Sequence, residues 1–171
     1  MISFRRKKHE QKARIFLNSI TVVPRSGLKK ILENNSSTLS EYDDDIIQTT
    51  LTSFLQLPDA SEQATFESND LGLDIIVPEF EFGSVGLAHA GPIIVPLNWR
   101  AKLTMTARLF EIETNQTIRS ATVKHIQPMS QFLKKLRSPG RLLSFERNLS
   151  AEEVERMIIH VAVQLLRKVK S

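Results

Sequence analysis

Few residues in this chain have the types and spacing that chemistry asks for. His9, His89, His125 and His160 are scattered, with no i, i+4 pair and no acid at ligand spacing, so none reads as part of a metal set. There is no cysteine, which removes thiol catalysis, disulfides and thiolate-held zinc or iron–sulfur chemistry and leaves the redox compartment open. No serine sits in a nucleophile elbow. Glu79 and Glu81 are two apart on a predicted strand and share a face, as an acid–base carboxylate pair would, although exposed strand carboxylates are commoner. Asp43, Asp44 and Asp45 follow one another at about 100° intervals on a predicted helix. They lack the glycine turn and distal Glu of a calcium loop, and read as helix-start residues. The sequence therefore predicts no enzyme, no cofactor and no bound metal.

The elements that would position any site are clearer. Trp99, Ala101, Leu103, Met105, Ala107 and Leu109 alternate with Arg100, Lys102, Thr104, Thr106 and Arg108, which sets an apolar row against a basic, polar one. Glu113, Thr114, Asn115 and Gln116 interrupt the pattern, and Asn115 tolerates the left-handed backbone of a tight reversal. Alternation resumes from Thr117, with Arg119, Ala121, Val123 and His125 on one face. This predicts a long antiparallel hairpin, about 97–127, with one face on a core and one wet.

Ile15 to Val23 reads as a first strand, ended by Pro24, and 73–82 as a second. Pro78 inside that second run lacks a donor and predicts a bulge or an edge placement. Ser40 with Asp43 reads as a capped helix start, and apolar spacing carries the helix over about 41–56, with a stop before Pro58. A short edge strand is expected at 64–67, and a short helix over 128–137. Residues 141–147 read as a short strand. Ser150 with Glu153 forms a capping box, and Val154, Met157, Ile158, Val161, Leu165 and Val169 make the stripe of a terminal helix over about 151–169. The expected fold is an α+β two-layer sandwich, its mainly antiparallel sheet covered on one face by two helices. At 171 residues the chain reads as a basic, mobile lead-in over 1–14 and a single domain over 15–171.

Net charge is only +4, but it is unevenly placed. Residues 1–30 hold nine Lys/Arg against Glu10, residues 31–99 hold twelve acids and no Lys or Arg, and residues 119–147 hold seven bases against Glu146. A fold that kept these blocks apart would have an acidic and a basic side; otherwise they are a solvated surface. No apolar run approaches the ~18 residues of a membrane helix.

Particular residues also bring a family to the page. Asp74-Ile75-Ile76-Val77 begins a strand, and the hairpin reads Leu103-x-Met105-x-Ala107-x-Leu109-Phe110-x-Ile112-Glu113-Thr114-Asn115, with a capped amphipathic helix at the end. The chain over 15–169 resembles small bacterial envelope lipoproteins of the type shared by the Tol-system translocation protein amino-terminal domain, the curli secretion-channel lipoprotein and the lipoprotein activators of penicillin-binding proteins. Their hairpin turn reads Asp, two residues, Thr-Gly; here Glu111 or Glu113 replaces the Asp and Asn115 the Gly. The resemblance implies a non-enzymatic assembly part of an envelope or secretion machine, with no catalytic residue carried over. This chain has no lipobox cysteine and no convincing export signal. It is therefore expected in the periplasm or at the envelope if its true start lies upstream, and in the cytoplasm otherwise.

Two functions are weighed on this footing. The first is an interaction or assembly module with protein partners, self-association among them. Its contact surface is expected at the glycine-bearing, apolar 83–92 loop, through Val85, Leu87, His89 and Pro92. The second is a nucleic-acid or anionic-surface binder using Arg100, Lys102 and Arg108 with the basic 134–147 segment, Lys134, Lys135, Arg137 and Arg141. A sheet that reads single strands wants aromatics on the basic row, and Phe110 is the only one there, which ranks this reading second.

Overall fold

A computed structural model describes residues 13–23, 39–81, 83–85, 87–90, 93–96, 100–137, 146–147 and 149–171. Four strands make the main sheet: β1 (Ile15–Val22), β2 (Leu71–Glu81), β6 (Lys102–Glu111) and β7 (Thr117–Ile126), in the spatial order β1-β2-β6-β7. β1 and β2 are parallel, joined through helix α1 (Leu39–Leu55), and the other two pairings are antiparallel. Helices α2 (Met129–Leu136) and α3 (Ala151–Lys170) follow the hairpin. Short strands β3 (Ser84–Val85) and β8 (Glu146–Arg147) pair with each other, as do β4 (Leu87–Ala90) and β5 (Ile93–Pro96). The result is the expected α+β arrangement with two helices on one face; the hairpin forms one half of the sheet, with β6 interior and β7 at the edge.

The core forms where the alternation of β6 meets the stripe of α3. Leu103, Met105 and Ala107 are wholly buried, as are Ile158 and Val161 of α3 and Ile47 and Leu51 of α1. Leu73, Ile75 and Val77 of β2 complete the same layer. At the start of α3, Ser150 Oγ accepts from the Glu153 amide at 3.3 Å, and Glu153 Oε2 accepts from the Ser150 amide at 2.9 Å. Two donors that the helix itself cannot satisfy are thus paired.

Two bulges keep apolar residues inward where the sequence changes phase. In β1 the pairing slips between Leu17 and Ser19, so Ile20 and Val22 fall on the same side as Ile15 and Leu17 despite their odd spacing. In β2 it slips between Ile76 and Glu79, where Pro78 sits. Because β2 is an interior strand, the proline is accommodated by the bulge and not by an edge. The outer side of β1 is covered by the chain after α1: the Leu17 amide donates to the Pro58 carbonyl at 2.9 Å. The reversal between β6 and β7 places Asn115 at φ 55, the left-handed turn its side chain permits.

Several expectations are corrected. Helix α1 begins at Leu39, so Ser40 lies inside it and is not its cap, and it ends at Leu55 through Gln56 at φ 47. Residues 64–67 are not a strand; a 3-10 turn at Ala60–Glu62 precedes them, capped by Asp59, whose carboxylate accepts from the Ser61 amide at 2.7 Å. Within the expected 83–92 loop, Ser84–Val85 and Leu87–Ala90 are not loop, because backbone pairing draws them into β3 and β4, while residues 86, 91 and 92 lie outside the described residues. Within the 141–147 stretch, residues 141–145 lie outside the described residues and β8 covers the rest.

On the opposite face of the sheet Gly72 lies beside Phe110. A Cβ built on Gly72 would run into the outer end of the Phe110 ring, so glycine lets that ring approach β2 closely. Gly72→Ala should lower stability by about 1–3 kcal/mol through overpacking. Phe110→Leu in the same chain should recover part of that loss, and denaturant titration of the double-mutant cycle reads the coupling. Additive effects would reject the contact. Leu103→Ala should cost about 2–5 kcal/mol in the same measurement, and an unchanged midpoint would remove this residue from the core.

Candidate interaction surfaces

The face of the sheet turned away from the helices is the first candidate. Strand register builds transverse rows across it: Ser19, Asp74, Arg108 and Ser120; then Thr21, Ile76, Thr106 and Thr122; then Glu79, Thr104 and Lys124; then Glu81, Lys102 and Ile126. In the first row Asp74 accepts from Asn18 Nδ2 at 2.6 Å and Ser19 Oγ at 2.7 Å, and lies 3.6 Å from Arg108 Nη1. Arg108 also donates to Thr117 Oγ1 at 2.8 Å and to both oxygens of Asn115 at 2.8 and 2.9 Å. Its guanidinium lies 4.7 Å from the centre of the Phe110 ring, within cation–π reach.

In the last two rows Lys102 is ion-paired with Glu79, which also accepts from Thr104 Oγ1 at 3.4 Å. The hydrogen bond from Lys102 holds the Glu79 carboxyl below the usual carboxylate range and raises the Lys102 ammonium in turn. The row between these charged ones is neutral. Ile76 is 39% exposed there, and the Thr106 and Thr122 hydroxyls are 3.0 Å apart. Ile118 and Ile126 extend the apolar surface along β7.

At one corner of the sheet, Arg14 grips Asp70 with two bonds, Nε to Oδ1 at 2.9 Å and Nη2 to Oδ2 at 2.6 Å. The Glu67 amide donates to the same carboxylate at 2.8 Å, and Arg14 foremost holds Asp70 below the usual carboxylate range. Arg14, placed by sequence in the lead-in, is thus tied into the fold, and its carbonyl accepts from the Leu71 amide at 2.9 Å. Neither the Arg14–Asp70 pair nor the neutral row was legible in sequence, since the pair joins residues 56 apart and the row needs β1 and β2 brought beside the hairpin; residue spacing within one element carries no such signal.

Among the described residues two recesses on the helical side stand out. One, of about 440 Å³, is lined by His125, Gln127, Gln131, Leu149, Glu153, Arg156, Met157 and His160. The His125 and His160 rings meet edge to face at 5.4 Å between centroids, and burial, followed by the neighbouring His160, pushes the His125 imidazole below its ordinary value. The other, of about 420 Å³, opens between the C-terminal ends of α1 and α3 and the sheet. Among the described residues no group of three His, Asp or Glu side chains has the proximity to hold a metal.

The residues singled out by sequence do not converge. Val85 lies in β3, Leu87 and His89 in β4, and Pro92 outside the described residues. Lys102 and Arg108 belong to the open sheet face, but α2, which carries Lys134 and Lys135 and is followed by Arg137 at its C-terminal cap, sits on the helical side. There Lys135 pairs with Glu153 of α3 at 2.5 Å. Arg100 donates to the Gln127 carbonyl at 3.4 Å, and Arg141 lies outside the described residues. The two halves of the expected anion site are therefore on different layers, and Lys102, Arg108 and Lys135 each carry a carboxylate partner.

No family model and no curated protein matches this chain. Solved structures with a similar outline include a PelC dodecamer from Paraburkholderia phytofirmans, with TM-score 0.42 and 10% identity over 92% of this chain and 89% of that one. The hypothetical protein CT253 from Chlamydia trachomatis scores 0.43 at 10% identity, over 92% and 96% of the two chains. The lipoprotein GNA1162 from Neisseria meningitidis scores 0.29 at 15% identity, over 91% and 98%. A likeness of this degree carries no role, ligand or assembly from those proteins to this chain.

The His125 environment gives a pH dependence. Its imidazole takes up a proton less readily folded than unfolded, so the unfolded chain binds more protons as pH falls below about 6.5. Stability is therefore highest above that value and declines below it. His125→Gln should flatten the fall in Tm between about pH 7.5 and about pH 5. Parallel curves for the two proteins would show that His125 titrates alike in both states.

Proposed function

We propose that this chain is a non-enzymatic interaction module, an accessory assembly component of a bacterial envelope or secretion machine. The observation that supports it is the open sheet face, where a neutral Thr21–Ile76–Thr106–Thr122 row lies between rows whose ion pairs join β2 to β6. Such a surface costs little to desolvate, because the exposed apolar groups gain by burial and the threonines pair with one another or with a partner's polar groups. A polyanion wants the opposite, cations with no carboxylate beside them. The envelope setting rests on the resemblance of the 103–115 hairpin and the capped terminal helix to the envelope lipoproteins of the Tol, curli and penicillin-binding-protein-activator type.

Ile76→Glu with Thr122→Glu places two negative charges in the neutral row at exposed positions, where such changes leave stability nearly untouched. Capture of a partner from a bacterial envelope fraction, or self-association in sedimentation, should be lost in this variant while its Tm is kept. Nucleic-acid titration at low and high salt should show no binding by either protein. Unaltered partner capture, or salt-dependent nucleic-acid binding that weakens with Lys124→Ala and Lys134→Ala, would reject the proposal.

A further inference from the structure

Among the described residues the core is left open at one end, and the opening has a chemistry of its own. Ile15 of β1, Leu73 of β2 and Leu109 of β6 form its floor, while Phe54, Leu55 and Leu57 close one side and Leu166 and Val169 of α3 the other. Ile15, Phe54, Leu55, Leu57, Leu109 and Leu166 are all only partly buried against the main core. The recess of about 420 Å³ thus continues the core outward, and it falls within the ~300–1,000 Å³ of small-molecule sites. Its lining offers an occupant apolar walls almost throughout.

The mouth is different. Arg119 of β7 and Lys170 of α3 stand there, and among the described residues neither has a carboxylate partner. Arg119 occupies the inward-facing row of β7, opposite Leu109, where the other strands place apolar side chains. Among the described residues it donates to the Val169 carbonyl, at 3.4 Å. The C-terminal end of a helix carries about half a negative charge, which the two whole positive charges outweigh. An apolar recess under a cationic mouth matches one kind of occupant at both ends.

We propose that this cleft binds a single-chain amphiphile with an anionic head, a long-chain fatty-acid carboxylate. The chain lies along Ile15, Leu73, Leu109 and Leu166, and the carboxylate meets Arg119 and Lys170 at the rim. Burial of the methylenes supplies the affinity and the cations select the head. The site lies on the helical side of the sheet, away from the neutral row, and is independent of the interaction role proposed above.

The test is a titration of the full chain with a dansyl-labelled undecanoic acid below its micelle concentration, competed by unlabelled laurate and by dodecanol. Saturable binding, displaced by laurate and less well by dodecanol, is expected. Arg119→Gln with Lys170→Gln, both at exposed positions, should keep the Tm and weaken laurate competition about five- to tenfold, leaving dodecanol unchanged. Leu166→Trp, which fills the cleft, should abolish binding of all three. Absence of saturable binding to the wild type would overturn the proposal. So would equal competition by laurate and dodecanol, or binding only to vesicles of anionic phospholipid.

Discussion

Burial of one face of β6 under α3 is the constraint on which the rest of this structure depends. Leu103, Met105 and Ala107 are wholly buried, and they belong to a strand that lies between β2 and β7 and meets α3 directly. Side chains alternate along a strand, so fixing that row inward fixes Lys102, Thr104, Thr106 and Arg108 outward. One hydrophobic contact thereby decides both the core and the chemistry of the open face. The recess over Leu109 belongs to the same logic, because its floor is the inward row of β1, β2 and β6.

Keeping that arrangement across four strands requires local irregularity. A slip of one residue would turn the apolar set of a strand to water. The bulges near Asn18 in β1 and Pro78 in β2 absorb such slips, returning Ile20, Val22 and Phe80 to the core side. They also set which polar residues line up outside, so that Asp74 stands beside Arg108 and Glu79 beside Thr104. The bulges are the means by which an imperfect alternation still gives one dry and one wet face.

Among the described residues, the same register sets acids of the middle block against bases from either side of it. β2 comes from the acidic middle of the chain, and it lies between β1, which follows the basic start, and β6, which carries Lys102 and Arg108. Asp70 with Arg14, Asp74 with Arg108 and Glu79 with Lys102 are the outcome. Instead of an acidic and a basic side, the open face has compensated rows around a neutral one. That compensation weighs against a polyanion at this face and accords with the interaction role proposed above. Exposed pairs of this sort add little stability, so their main effect is on what the face can recognise.

The sequence by itself determined the parts whose causes are local. The β6–β7 hairpin, its Asn115 turn, the Ser150–Glu153 box and the stripe of α3 follow from alternation, backbone preference and capping within a few residues. The α+β class followed from their order. Tertiary structure alone decided the parallel pairing of β1 with β2, the strand pairing that draws in Ser84–Val85 and Leu87–Ala90, the joining of Arg14 to Asp70, and the cleft under Arg119. Each of these depends on which segments meet across the chain. Such meetings are settled by the shared burial of distant apolar rows, a quantity that no short window of sequence contains.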